Sequence, residues 1–187
     1  MTEIIDPRDL LVQVAKILDE LKITHIVSGG MAVFVWGKPR FTADIDIVVE
    51  LKEIDLPRLQ KALQLLHEAG YIDLDMMKDA LKHRGEFNFI DGATGVKVDF
   101  YIAQKDDFGV SALKRGRREE INGYKVNFIS PEDLILVKLK WHKEGDSAKQ
   151  LEDVKSILKT SGDKLDKKYL MAWAIKLDVS DILDNLT

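Results

Sequence analysis

The chain has no cysteine. That absence excludes disulfide frameworks, thiolate zinc sites and cysteine nucleophiles together, and it is compatible with a reducing compartment. Histidine is nearly as scarce, with four in 187 residues, and His25, His67, His83 and His142 are not spaced as metal ligands are. Long apolar runs are missing too. The stretch 134–137 is among the longest and falls far short of a membrane span, and the opening MTEIIDPRDL has no basic-then-apolar signal pattern. A soluble, cytoplasmic protein with no membrane partner is expected. No G-x-x-x-x-G-K-[ST], G-x-G-x-x-G or G-x-S-x-G occurs, so neither Walker-type hydrolysis nor a serine hydrolase has support.

What is present is a chain 45% hydrophobic, long enough for one domain with a real core, or for one domain with a helical extension. Its net charge of −4 conceals a local excess of the other sign. Residues 111–143 carry Lys114, Arg115, Arg117, Arg118, Lys125, Lys138, Lys140 and Lys143 against Glu119, Glu120, Glu132 and Asp133. Such a strip either serves a polyanionic ligand or is a solvated face.

Periodicity divides the chain. Leu10, Leu11, Val14, Ile17, Leu18 and Leu21 mark a first helix. A short strand from His25 to Ser28 leads through a Gly29-Gly30 corner into a brief helix, Met31 to Trp36, stopped by Gly37 and Pro39. Ile45 to Glu50 reads as a second strand. Leu56, Leu59, Leu63 and Leu66 place another helix, with His67 on it, Asp55 as its cap and Gly70 at its end, and residues 75–83 add a short one. Two hairpins follow, one of Glu86–Ile90 with Val96–Ile102 and one of Arg117–Ile121 with Tyr124–Ile129 around Asn122-Gly123. Ser130-Pro131-Glu132-Asp133 opens a helix with a hydroxyl cap, a first-turn proline and acids at the positive dipole end. Two or three further helices occupy about residues 148–186. The expected class is α+β, a mixed sheet flanked by helices, with a core at 1–129 and a C-terminal helical extension at 130–187 packed on it.

Chemistry concentrates on one face. Side chains alternate across a strand, so Asp44 and Asp46 share a face while Ile45 and Ile47 point the other way. Two carboxylates so close repel each other, and a divalent cation relieves the conflict; hard oxygen ligands favour magnesium or manganese. In Val96 to Ile102, Asp99 takes the parity opposite to Val96, Val98, Phe100 and Ile102, so it lies beside the pair if the strands are neighbours. Three acids at one site suit two-metal phosphoryl chemistry. The bland alternative is a solvated strand end, and Asp73-Leu74-Asp75, with the same spacing, is more simply a helix start. Gly29-Gly30, between strand and helix, lets backbone N–H groups approach a phosphate, or forms an ordinary turn. Lys138 shares a helical stripe with Leu134, Val137 and Trp141, so it must snorkel to water or meet an anion.

In this order the residues resemble a known family. Ser28-Gly29-Gly30, Arg40-Phe41-Thr42-Ala43-Asp44-Ile45-Asp46 and then Asp99 between apolar neighbours look like the nucleotidyltransferase fold of the polymerase-beta superfamily. Ser130 to Lys138 and Leu151-Glu152-Asp153-Val154 are similar to later motifs of minimal nucleotidyltransferases from abortive-infection toxin systems and of lincosamide-type resistance enzymes. Lys149-Gln150 stands where the toxin pattern has Arg-Asp. The resemblance implies that Asp44 and Asp46 hold metal, that Asp99 completes the metal site and activates the acceptor, and that Ser28, Gly29 and Gly30 bind phosphates, with Arg40, Thr42 and Lys138 as further phosphate contacts. The implied reaction moves a nucleoside monophosphate from an NTP, such as ATP, to an acceptor hydroxyl with magnesium or manganese. The acceptor is tRNA or another RNA in a toxin-like enzyme, which would have an antitoxin partner. The alternatives are a small hydroxyl compound such as an antibiotic, a protein, or no acceptor at all in a non-catalytic nucleotide-binding module.

Overall fold

The computed structural model describes residues 6–67 and 70–186. Helix α1 (Pro7–Glu20) starts where the Asp6 carboxylate accepts the Arg8 N–H at 2.9 Å, with Pro7 in the first turn. Then come β1 (His25–Val27), α2 (Gly29–Trp36), β2 (Asp44–Val49), α3 (Asp55–Gln64), α4 (Leu74–His83), β3 (Glu86–Ile90) and β4 (Lys97–Ile102). Helix α5 (Asp107–Lys114) precedes the hairpin of β5 (Arg117–Ile121) and β6 (Tyr124–Phe128). The chain ends with α6 (Pro131–Gly145), α7 (Ala148–Ser161), α8 (Lys167–Lys176) and α9 (Ser180–Asp184). The class is α+β, as the periodicities imply.

The strands form one mixed sheet in the order β3-β4-β2-β1-β6-β5. Strand β2 runs parallel to β4 and β1 parallel to β6, while the remaining neighbours are antiparallel. Alternation decides which face is buried. Ile45, Ile47 and Val49 of β2 and Val98, Phe100 and Ile102 of β4 join one core with Leu11, Val14 and Leu18 of α1 and Leu56, Leu59 and Leu63 of α3. The Phe87 and Phe100 rings stack within it, 5.0 Å apart. The opposite parity, Asp44, Asp46 and Val48 beside Lys97, Asp99 and Tyr101, stays on the more open face.

Three local expectations need correction. Gly29 and Gly30 are the first two residues of α2, not a corner before it, because Gly29 takes a positive φ of 57° and carries the chain from strand into helix. Asp55 does not cap α3. Ile54 holds the cap position, and the Asp55 carboxylate turns back to accept the Lys52 N–H at 2.9 Å. That helix ends at Gln64, so His67 lies beyond it and pairs with the buried Asp91 at 2.6 Å; of the approach to Gly70, Glu68 and Ala69 lie outside the described residues. Helix α5 was not anticipated, since Gly109 sits within it and hides the periodicity of a segment capped by Asp106, whose carboxylate accepts the Gly109 N–H at 2.7 Å.

The start of α6 follows its sequence signature. Ser130 Oγ accepts the Asp133 N–H at 3.1 Å and donates to Asp133 Oδ2 at 2.6 Å. Glu132, fully buried, receives Arg115 and Arg117 at 3.3 and 3.2 Å and the Asp166 N–H at 2.8 Å. The C-terminal helices close against α2, where Trp36 Nε1 donates to the Ile129 carbonyl at 2.8 Å and Ser161 Oγ to the Trp36 carbonyl at 2.6 Å. Among the described residues no helix is long and apolar enough to cross a membrane.

Candidate active site

The parallel pairing of β2 with β4 places Asp46 directly opposite Asp99 and Asp44 opposite Lys97. All four side chains share the open face. Like charges in facing positions of a sheet are destabilising, and Asp46 registers the conflict. Partial burial raises its carboxyl above the usual range, and the charges of Asp99 and Asp44 push it further. The Gly30 N–H and the Lys138 ammonium pull the other way. Tyr101, next along the same face, donates weakly to Asp46 Oδ1 at 3.5 Å, and its own hydroxyl is pushed above the usual phenol range by burial and by that carboxylate.

The glycine pair is required by contact. A Cβ on Gly29 would lie 1.8 Å from Asp46 Oδ2, and one on Gly30 would lie 2.4 Å from Thr42 Oγ1. A side chain at either position would force Asp46, Thr42 or the N-terminus of α2 out of its place. Ser28 precedes them with its N–H donated to the Asp46 carbonyl at 2.8 Å; its side chain is buried and makes no cap hydrogen bond. Thr42 Oγ1 donates to the Asp44 carbonyl at 3.2 Å.

Two of the expected phosphate contacts sit on the flank and share one counter-ion. Arg40 grips Asp153 with both ends of its guanidinium, Nε to Oδ1 at 2.8 Å and Nη2 to Oδ2 at 2.9 Å. Lys138, 2% exposed, donates to Asp153 Oδ2 at 2.7 Å and to Gln150 Oε1 at 3.0 Å. Of the two options for a lysine on that stripe, the structure shows the anion. Burial lowers the Lys138 ammonium below its ordinary value, with Asp153 opposing. At Asp153 burial pushes upward, but the hydrogen bonds from Arg40 and Lys138 outweigh it and hold the carboxyl below the usual range.

The acids of the open face supply hard oxygen donors, the donor chemistry that suits a magnesium or manganese ion. The ligand set is not drawn together in advance. Among the described residues no group of three His, Cys, Asp or Glu side chains is gathered closely enough to hold an ion, and Asp99 Oδ2 is paired with Lys97 Nζ at 2.9 Å.

The basic strip is largely engaged inside the molecule. Arg115 and Arg117 hold Glu132, Arg118 approaches Asp19 at 3.6 Å, and Lys143 pairs with Asp178.

Residues 8–180 match the family described as nucleotidyl transferase of unknown function (DUF2204). The chain belongs to that nucleotidyl transferase family. No curated protein matches it in sequence. Among solved structures, this nucleotidyl transferase is similar to ANT(2'')-Ia in complex with adenylyl-2''-tobramycin, at 16% identity over 92% of this chain and 97% of that one, with a TM-score of 0.64. It is also similar to the lincomycin-bound lincosamide antibiotic adenylyltransferase LnuA (14% identity, 82% and 96% coverage, TM-score 0.52). A third is an antigenic nucleotidyltransferase-like protein from Paracoccidioides brasiliensis (21% identity, 81% and 75% coverage, TM-score 0.55). At such identities the likeness is one of fold.

Sequence reasoning missed three polar groups of this site. Lys97 and Tyr101 share the parity of Asp99, two residues to either side, so alternation could have found both. Gln150 carries no such signal, because its role depends on how α7 packs beside α6.

Proposed function

We propose that this nucleotidyl transferase moves a nucleoside monophosphate from an NTP to the hydroxyl of a small acceptor, with a divalent metal at the acidic face. The observation that carries the reading is the register of Asp46 against Asp99 with the N-terminus of α2 pressed on the same carboxylate. The acceptor oxygen forms a bond to the α-phosphorus, the bond to the bridging oxygen breaks, and pyrophosphate leaves. The hydroxyl proton passes to Asp99. Asp44 and Asp46 are the residues that would hold magnesium or manganese, which, when bound, neutralises phosphate charge and lowers the pKa of a coordinated hydroxyl.

This chain's residues do the rest. The lack of side chains at Gly29 and Gly30 lets the N-terminus of α2 lie close against the acidic face, where the Gly30 N–H already acts on Asp46 and a phosphate would meet the positive end of the helix. Arg40, still partly exposed in its grip on Asp153, is the flank's candidate phosphate contact, while Lys138, buried on the same carboxylate, adds its positive field from behind. Lys97, paired with Asp99 Oδ2 at 2.9 Å, orients that carboxylate on the open face. The small acceptor is favoured over RNA because the arginines that would contact a phosphate backbone already have internal partners.

The test is turnover with Mg-NTP and a hydroxyl-acceptor panel, read as pyrophosphate release. Asp99→Asn should lower the rate by about 10²–10⁴-fold, the usual contribution of a positioned base, while leaving NTP binding and the fold intact. Absence of release by the wild-type protein with every NTP, acceptor and RNA supplied would favour a nucleotide-binding module instead.

A further inference from the structure

A cavity of about 230 Å³ opens from the acidic face into the space under α5 and α6. One end is formed by Ser28 and Asp46. Away from that end the surface turns apolar, with Val48 as floor, Phe108 as one wall, and Val137 and Trp141 as roof. The wall is anchored, since the Phe108 ring packs at 5.3 Å against Trp173 of α8.

Its charge is as telling as its shape. Of the two carboxylates lining it, Asp46 is the metal-binding candidate and Asp106 is engaged in capping α5. At the rim stands Lys140, which is exposed and, among the described residues, in no ion pair. A polyamine acceptor needs several free carboxylates, and an RNA end needs several cations for its phosphates. This cavity offers neither. Its volume is also below the roughly 300–1,000 Å³ that encloses a drug-sized ligand, so it takes one ring or a short apolar arm.

We infer that this cavity binds the body of the acceptor, and that the acceptor is an uncharged hydroxyl compound carrying a single aromatic or alicyclic ring. The inference rests on the transferase reading above and gives that site its substrate class. With the ring between Val48, Phe108, Val137 and Trp141, the polar arm of the acceptor emerges at the Asp46 end, beside the carboxylate pair where the bond to phosphorus forms. The narrow apolar walls exclude a polycation and a charged sugar-phosphate alike, because either would have to give up water without gaining charged partners there.

The experiment uses the full chain and phenyl β-glucoside as probe, followed by ligand-observed NMR, with Mg-ATP binding measured in parallel by calorimetry. Wild type and Asp99→Asn should bind the probe saturably. Val137→Trp, which fills the cavity from the roof, and Ala112→Leu, a milder filling from α5, should weaken it by at least about tenfold while Mg-ATP binding and the circular dichroism spectrum stay unchanged. Tobramycin and tRNA should fail to displace it. Undiminished probe binding in both filled variants overturns the assignment, as does displacement by either competitor. Loss of Mg-ATP affinity in a folded filled variant also overturns it, by giving the cavity to the donor's base. Probe binding that is lost on filling, in a protein that binds no Mg-NTP even as wild type, would instead support the cavity and overturn the transferase reading.

Discussion

Asp46 and Asp153 are both aspartates withdrawn from water, yet their surroundings move them in opposite directions. Asp153 meets a guanidinium and an ammonium at hydrogen-bonding distance and is held below the ordinary carboxylate range. Asp46 meets Asp99 across the strand and Asp44 along it, and is held above that range. The seam between α6 and α7 is therefore electrostatically finished, and the open face of the sheet is not. A fold that has matched its buried charges at Glu132 and Asp153 leaves negative charge unbalanced on the open face of the sheet. That place is also where two glycines bring backbone N–H groups within reach.

The comparison breaks most visibly at Asp153. Asp153→Ala strands Lys138 and Arg40 without their counter-ion, and removing one partner of a buried pair typically costs about 3–5 kcal/mol. Denaturant unfolding should show a loss of that size at neutral pH. The wild-type contribution is fully present above the unfolded carboxylate value and falls away as pH drops through the depressed folded value, so the gap between the two proteins should narrow in acid. A loss under 1 kcal/mol would mean that the seam is solvated in solution.

A smaller effect of opposite sign is expected at Asp46. Asp46→Asn removes a like charge facing Asp99 without changing shape, and should stabilise the metal-free protein by about 0.2–1 kcal/mol. Because the folded carboxyl is raised above its ordinary value, ionisation costs stability as pH climbs from that ordinary value through the folded one. The gain should therefore be absent in acid and complete at neutral pH. Thermal unfolding across a pH series checks this, and destabilisation at neutral pH would show that Asp46 is a structural residue.

Much of this contrast was legible in the sequence. Strict alternation in Asp44 to Val49 and Val96 to Ile102 put three acids on one parity, and that pattern is fixed by backbone geometry alone. Their neighbourhood was not, since it needs the parallel pairing of β2 with β4 across two intervening helices and a strand, a long-range choice that local periodicity does not encode. Lys138 was recognisable as a cation that must find an anion, but its partner lies on the next helix. The role of the basic strip was not legible for the same reason. Charge along the chain says nothing of Glu132, whose buried carboxylate gathers Arg115 and Arg117. Gln150 keeps an acceptor oxygen on Lys138 at a position where the toxin pattern carries an acid, so the departure from that pattern alters charge more than geometry.

The most direct test of the open face as a cation-dependent nucleotide site is calorimetry of NTP binding with and without magnesium, in the wild type and in Asp44→Asn/Asp46→Asn. The wild-type protein should bind NTP more tightly as magnesium is added, and the double variant should lose that dependence while remaining folded. Equal magnesium dependence in the two proteins would contradict the assignment.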